Sequence, residues 1–281
     1  MIPRNTPIEI ESILVVVVIY RMPVASTTAW TSLLPNSNKM KRLDVLFYDN
    51  SPSPQHVPDQ PYLNVHYIHD HRNPGVSTAY NSAAKLAKHL NKGWLLLLDQ
   101  DTEWSQTALL MYLETAACHA EAKVFAPSVS DEMGLLSPFR FQWGSGRRLP
   151  DWKKELIDFS YYSVVNSGLL ISVRVFCEAG GYDESIPLDF SDIDFCHRLA
   201  RAGINAQHIP CVLKTRHSSS VPQVAESAIQ RFWLYCKGAA MFARRTRDLT
   251  ILIRQHLRSV HLSFRYRNFQ FIFISINLRR P

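Results

Sequence analysis

Gly93-Trp94-Leu95-Leu96-Leu97-Leu98-Asp99-Gln100-Asp101-Thr102 is the stretch that decides how this chain folds. Four leucines in a row, with no polar alternation, read as a strand covered on both faces, as in a parallel sheet lying between helices. Sheets of that kind hold ligands at the carboxyl ends of their strands. Residues i and i+2 of an extended segment point the same way, so Asp99 and Asp101 can face one ligand. Two hard oxygen ligands suit Mg²⁺ or Mn²⁺, with a substrate phosphate completing the shell. The bland alternative is a solvated turn after a strand, because Asp-x-Asp is a common pattern.

The residues before this stretch alternate strand and helix. Ile13–Tyr20 is a β-branched run that predicts a central strand. A helix is expected in the low thirties, then a second strand over Leu43–Tyr48 ending at Asp49-Asn50-Ser51. Pro52, Pro54, Pro58 and Pro61 mark a loop, and Asn64–His69 a short third strand. Asn73-Pro74-Gly75-Val76 is a turn after which Ser77 can cap a helix, with Ala79, Ala83, Leu86, Ala87 and Leu90 on its apolar face. Trp94–Leu98 is then the fourth strand. This rhythm argues for an open α/β sheet.

With 281 residues the chain can bury a large core. Hydrophobic content of 46% and charged content of 20% are ordinary for a globular protein. The longest apolar run, Ile13–Tyr20, falls far short of the roughly 20 residues of a membrane span. Glu9 and Glu11 stand where a signal peptide would carry bases. Cys118, Cys177, Cys196, Cys211 and Cys236 form no Cys-x-x-Cys pair, which argues against a disulfide framework or a zinc site and for a reduced, cytoplasmic protein. Charge is unevenly spread. From Arg231 onward eleven Lys and Arg face one acid, Asp248, a balance of +10, against twenty bases and twenty-three acids, or −3, in the rest. A slightly acidic body thus carries a basic extension suited to an anionic surface.

Four features in order resemble the inverting glycosyltransferases of family 2, most like the bacterial rhamnosyltransferases: Val18-Ile19-Tyr20; Tyr48-Asp49-Asn50-Ser51; Asn73-x-Gly75-x-Ser77-x-Ala79-x-Asn81; and Leu98-Asp99-Gln100-Asp101-Thr102. The second half continues the match with Asn166-Ser167-Gly168-Leu169-Leu170-Ile171, Ala179-Gly180-Gly181-Tyr182-Asp183-Glu184 and Asp189-Phe190-Ser191-Asp192-Ile193-Asp194. The resemblance covers roughly residues 12 to 220. It implies the GT-A fold, a three-layer α/β/α arrangement on a mostly parallel sheet. The expected organisation is a catalytic domain over 1–224 and a basic, helical extension over 225–281.

The same resemblance implies a chemistry. A nucleotide-diphospho-sugar, dTDP-rhamnose favoured, would donate its sugar to a glycan or polyprenyl-linked glycan acceptor. Asp101, with Asp99 and His217, would hold Mn²⁺ or Mg²⁺, a Lewis acid for the diphosphate leaving group. Tyr20, Asp49, Asn73, Gly75, Asn81 and Asp99 would contact the donor, Asp49 at the pyrimidine edge. Asp192 would be the single base that an inverting displacement needs to take the acceptor proton. The sequence departs from the family at two points. Ser191 replaces the usual Glu before the base, and Tyr80 stands where many relatives have Arg.

Each position also has a bland reading. Asp49 can form an Asx turn before Pro52. Asp192 can be a helix-start acid, and Ser191-x-x-Asp194 is a capping-box pattern. A lone His217 is usually structural, and His66, His69 and His71 read as solvated loop residues. In the extension, Ala225–Ala243 predicts an amphipathic helix with Ile229, Phe232, Cys236, Ala240 and Ala243 near one face. Beyond it Leu249, Leu252, Ile253, Leu257 and Val260 share a face, opposite Arg247, Arg254, Arg258 and Arg265. Such a helix lies on an anionic membrane, here the inner face of the plasma membrane, or packs on the body with a solvated basic side. Two other functions fit less well: an inactive glycan-assembly scaffold of the same fold, and a nucleic-acid binder using the tail. The acidic body carries no nucleic-acid motif, so no nucleic-acid partner is expected.

Overall fold

A computed structural model describes residues 8–33, 42–105, 107–215 and 225–277. The first half runs β1 (Ile13–Ile19), α1 (Thr28–Leu33), β2 (Leu43–Asp49), β3 (Leu63–His69), α2 (Val76–His89), β4 (Trp94–Asp99), β5 (Thr102–Glu103), α3 (Ala108–Cys118) and β6 (Val124–Asp131). The second half runs β7 (Gly134–Ser137), β8 (Phe139–Gln142), β9 (Ser145–Arg148), β10 (Leu156–Ile157), β11 (Leu170–Ser172), α4 (Val173–Glu178), α5 (Ser191–Arg201), β12 (Ala206–Thr215), α6 (Ala225–Thr246), α7 (Thr250–Tyr266) and α8 (Gln270–Asn277).

The main sheet has the order β10-β12-β6-β11-β4-β1-β2-β3. Its centre is parallel, with Val15 facing Val45 on one side and Leu96 on the other. β11 enters antiparallel between β4 and β6, and β12 runs parallel to β6. Every residue of β1 is buried, alternate side chains entering opposite layers. Leu14, Val16 and Val18 pack with Ala79, Ala83 and Ala87 of α2; Val15, Val17 and Ile19 pack with Trp30, Leu33 and Tyr112 of α1 and α3. Leu95–Leu98 are likewise buried, and each contributes roughly 1.5–3 kcal/mol of transfer free energy. The run without alternation is therefore a strand with helices above and below, and the three-layer α/β/α fold with C-terminal helices is the one expected.

From β1 the chain goes to β2 on one side and later to β4 on the other. That reversal opens a crevice at the carboxyl ends of β1 and β4, where open α/β sheets bind ligands.

Several local expectations give way to tertiary contacts. Ser77 does not cap α2: Gly75 occupies that place at φ +95°, and the Ser77 hydroxyl donates to the Ile186 carbonyl at 2.6 Å. A side chain on Gly75 would meet the Pro187 carbonyl oxygen at 2.2 Å, so only glycine lets α2 approach that loop. Ser191 and Asp194 form no capping box. Phe190, in the left-handed region at φ +72°, precedes α5, and the Asp194 carboxylate instead accepts from Arg198 and Arg245. His66 and His69 are strand residues of β3, half-buried against Asp44 and the Ser51 carbonyl.

The C-terminal helices close a third apolar cluster around Ile186 and Phe190. α6 buries Phe232, Tyr235, Cys236, Ala239, Phe242 and Ala243. Of the two arrangements open to α7, packing on the body through the apolar face is not the one found. The inward face carries Ile251, Gln255, Ser259 and Ser263, whereas Leu249, Ile253, Leu257 and Val260 are exposed and Leu252 is half-buried.

Candidate active site

The crevice at the ends of β1 and β4 is a cleft of about 870 Å³. Tyr20 and Arg21 enter it from β1, Asp99, Gln100 and Asp101 from β4, and Asn73 and Gly75 from the start of α2. Asp189, Ser191 and Asp192 line the facing wall at the start of α5. Local bonds fix the β1 and β4 ends to each other. The Tyr20 amide donates to Gln100 Oε1 at 2.7 Å, and Gln100 Nε2 returns a bond to the Tyr20 carbonyl. Ser167 holds the Asp-x-Asp turn from behind, accepting from the Asp99 amide at 3.0 Å and bonding Thr102 Oγ1 at 2.6 Å. Gly168, at φ +89°, lets this loop lie against Pro127 and Leu213.

Three carboxylates act on one another here. Burial pushes Asp99 up to about 7, helped by the charges of Asp101 and then Asp192, while the Tyr80 hydroxyl, 3.3 Å from Oδ1, opposes the shift. Burial also raises Asp192 to about 6; the Ile193 amide, donating at 2.8 Å, opposes it and Asp189 reinforces it. Tyr80, the residue that replaces Arg, is wholly buried beside Tyr182 and orients Asp99 rather than reaching into the cleft. A carboxyl group held near 6 is a base near neutral pH that can still accept a proton. Crowded carboxylates in a site of low dielectric are relieved by a cation.

Not every predicted residue reaches the cleft. Asp49 is buried in its own loop, accepting from the Ser51 amide at 2.8 Å, the Gln55 amide at 3.1 Å and the Tyr67 hydroxyl at 2.6 Å. Asn81 is spent as a clamp: its amide donates to the Tyr182 carbonyl and to Glu184, and its Oδ1 accepts from the Tyr182 amide. His217 lies outside the described residues. Sequence reasoning passed over Asn50. It lines the cleft, is 3% exposed, and its Oδ1 has no partner among the described residues. The signal was present in Asp49-Asn50-Ser51, but which member of the turn lines the cleft is set by the loop. Ser191 is also buried on the cleft wall, its hydroxyl without a partner among the described residues.

The far wall comes from the C-terminal half. The β8–β9 hairpin contributes Phe141, Ser145 and Arg148; α6 contributes Arg231 and Tyr235; α7 contributes Arg258. Arg231 makes two bonds of 3.0 Å to Asp189. Gly238 approaches the same segment so closely that a Cβ would lie 2.3 Å from the Asp189 carbonyl oxygen. The helices after residue 224 therefore both complete the cleft and brace the segment that carries Asp192.

The sequence profile of Glycosyl transferase family 2 matches residues 15–167, more than half of the chain, and the chain belongs to that family. Among solved structures it is similar to GalNAc-T7 determined with UDP, GalNAc and Mn²⁺, at 14% identity and a TM-score of 0.55, over 94% of this chain and 56% of that one. It is also similar to TarS of S. aureus, at 14% identity and a TM-score of 0.50, over 90% of this chain and 44% of that one. Likenesses at this identity show a shared GT-A fold. The chain spans about half the length of these two proteins. No curated protein sequence matches it.

The donor set fits a divalent cation in part. Asp99 and Asp101 offer hard carboxylate oxygens whose mutual repulsion a cation would relieve. Among the described residues no group of three His, Cys, Asp or Glu gathers to hold an ion. Donor diphosphate oxygens would have to share the remaining positions, as is usual for Mg²⁺.

Proposed function

We propose that the protein transfers a sugar, with inversion, from a nucleotide-diphosphate donor to a glycan acceptor. The observation that carries this reading is the meeting of Asp99 and Asp101 with Asp192 in one cleft at the switch point of the sheet. Asp101 and Asp99 would hold Mn²⁺ or Mg²⁺, which when bound neutralises the charge that grows on the departing diphosphate. Asp192, poised near 6, takes the proton of the acceptor hydroxyl as that oxygen attacks the sugar. Asn50, which lines the cleft and whose Oδ1 has no partner among the described residues, would accept a hydrogen bond from the donor's base; Tyr20 covers the same end, and Gly75 lets the start of α2 come close. Asp49 shapes the loop that presents Asn50. Asn73 also faces the donor, and Asn81 acts through the 182–184 segment.

The motif resemblance favours rhamnose, from dTDP-rhamnose, and a polyprenyl-linked glycan of the bacterial surface as acceptor, with an anionic membrane as the partner of the basic helices. Residues 1–224 would carry the donor site and 225–281 the acceptor side. Incubation with a panel of nucleotide sugars and Mn²⁺, with released nucleoside diphosphate read by mass spectrometry, tests the reading. Turnover of one donor, lost in Asp101→Ala, is expected; no turnover of any donor by a folded protein overturns it.

A further inference from the structure

Helix α7 exposes an apolar face and hides a mixed one. The side packed against α6 and α8 carries Gln255, Ser259 and Ser263, all buried, beside Ile251 and the partly buried Leu252, Leu262 and Tyr266. Gln255 Nε2 donates to the Ser275 hydroxyl and carbonyl of α8, and His256 Nδ1 bonds the same hydroxyl at 2.7 Å. The outward side presents Leu249, Ile253, Leu257, Val260 and Phe264, at the i, i+4 and i+7 spacing of one helical face. α8 extends it: Phe271 and Ser275 turn inward, while Phe269, Phe273 and Ile276 turn out. Phe264 and Phe269 are each 78% exposed and Phe273 69%. Scattered exposed apolar residues are ordinary, but a row of them along one face of α7, with three more on the packed neighbour α8 and its entry, marks an interaction surface.

The charge beside the stripe says what covers it. Arg244, Arg247, Arg254, Arg258, Arg265 and Arg267 are exposed along these helices, with Asp248 the one acid from residue 244 to 277. On a helical projection of α7, Arg254, Arg258 and Arg265 border the apolar stripe on one side. The exposed Trp143 at the hairpin tip joins that border, its carbonyl accepting from Arg254 and its ring under Arg147. A second copy of the chain would bring equal positive charge against this face. An anionic bilayer complements both parts, apolar side chains entering the acyl boundary and arginines meeting headgroup phosphates. None of the described helices is long and apolar enough to cross a membrane, so α7 and α8 would lie in its plane.

We propose that the outer face of α7–α8, with Trp143, seats the protein on an anionic bilayer and turns the cleft toward it. Arg258 belongs to both features, lining the cleft from the helix that carries the stripe. The inference deepens the transferase reading: an acceptor carried on a lipid would approach the cleft from the side on which Arg258 lines it.

The test uses the full chain and needs no donor, so it stands or falls apart from the transferase reading, which nucleoside diphosphate release checks separately. Vesicles of phosphatidylcholine alone, or with phosphatidylglycerol, are sedimented with wild type, with the triple variant Leu257→Ser, Phe264→Ser, Phe273→Ser, and with Arg254→Glu, Arg265→Glu. Circular dichroism and gel filtration confirm folding; each substituted side chain is exposed, and Phe264→Ser and Phe273→Ser singly serve if the triple variant is lost. Wild type is expected to pellet with the acidic vesicles, less so in high salt. The triple variant should lose at least about tenfold in partitioning, and the charge-reversed variant should lose its preference for acidic lipid. Equal pelleting of wild type and the serine variants overturns the proposal. So does a concentration-dependent dimer that the same serine substitutions disperse, because a second copy would then own the face.

Discussion

Asp99 holds a carboxyl group where the protein itself disfavours its charge. Burial and the charge of Asp101 push its group up to about 7 from an ordinary 3.8, so between those values the folded chain holds the proton more tightly than the unfolded one. Stability therefore falls as pH rises through that window. Asp99→Asn should raise the melting temperature at pH 8 in chelator, and the gain should shrink as pH falls toward 4. It should also abolish donor turnover. No gain at pH 8 would show that the site does not strain this carboxylate. Asp192→Asn is expected to keep donor affinity by calorimetry and to slow transfer about 10²–10⁴-fold, the usual worth of a positioned base. Because Asp192 is raised to about 6, wild-type transfer should climb with pH through that value and level off above it. A rate within about threefold of wild type would move the base elsewhere, well short of that range.

Helix α6 does at the scale of an element what no residue near the chemistry does alone. Arg245 bonds both Asp183 and the buried Asp194, and Arg231 bonds Asp189, so one helix grips both ends of the segment that carries Asp192. Phe190, held at φ +72°, is wedged between Phe141, Tyr235 and Phe242. Arg245→Met should leave Asp194 with Arg198 alone and cost on the order of 3 kcal/mol in denaturant unfolding, as for a broken buried pair. Gly238→Ala should cost about 1–3 kcal/mol, since its Cβ meets backbone rather than a yielding side chain. Transfer should fall more than donor binding in this variant, because the displaced segment bears Asp192, the proposed base. Equal losses in both would assign α6 a purely structural role.

The whole molecule is a sheet whose strand order makes the cleft and a set of C-terminal helices that closes it. If a divalent cation serves as proposed, excess chelator should stop donor turnover, and Mn²⁺ or Mg²⁺ should restore it; undiminished activity in chelator would require another way of neutralising the diphosphate. The sequence by itself determined the layers. An unbroken Leu95–Leu98 run and a β-branched Ile13–Ile19 run can be buried only from both sides, and the alternation of elements permits few other topologies. It also singled out Asp99, Asp101 and Asp192, which line one cleft in the fold. Tertiary structure alone decided which neighbours face the cleft. Asp49 and Asn81 carry hydrogen-bonding groups that their own surroundings consume, and Asn50 lines the cleft with an acceptor that has no partner among the described residues. It likewise decided that α7 turns inward the side that carries Gln255, Ser259 and Ser263 beside Ile251. Helical periodicity names the faces of a helix, but the partner it packs against chooses which face is hidden: here α8 offers Ser275 to Gln255 and His256, and the apolar stripe is left outside.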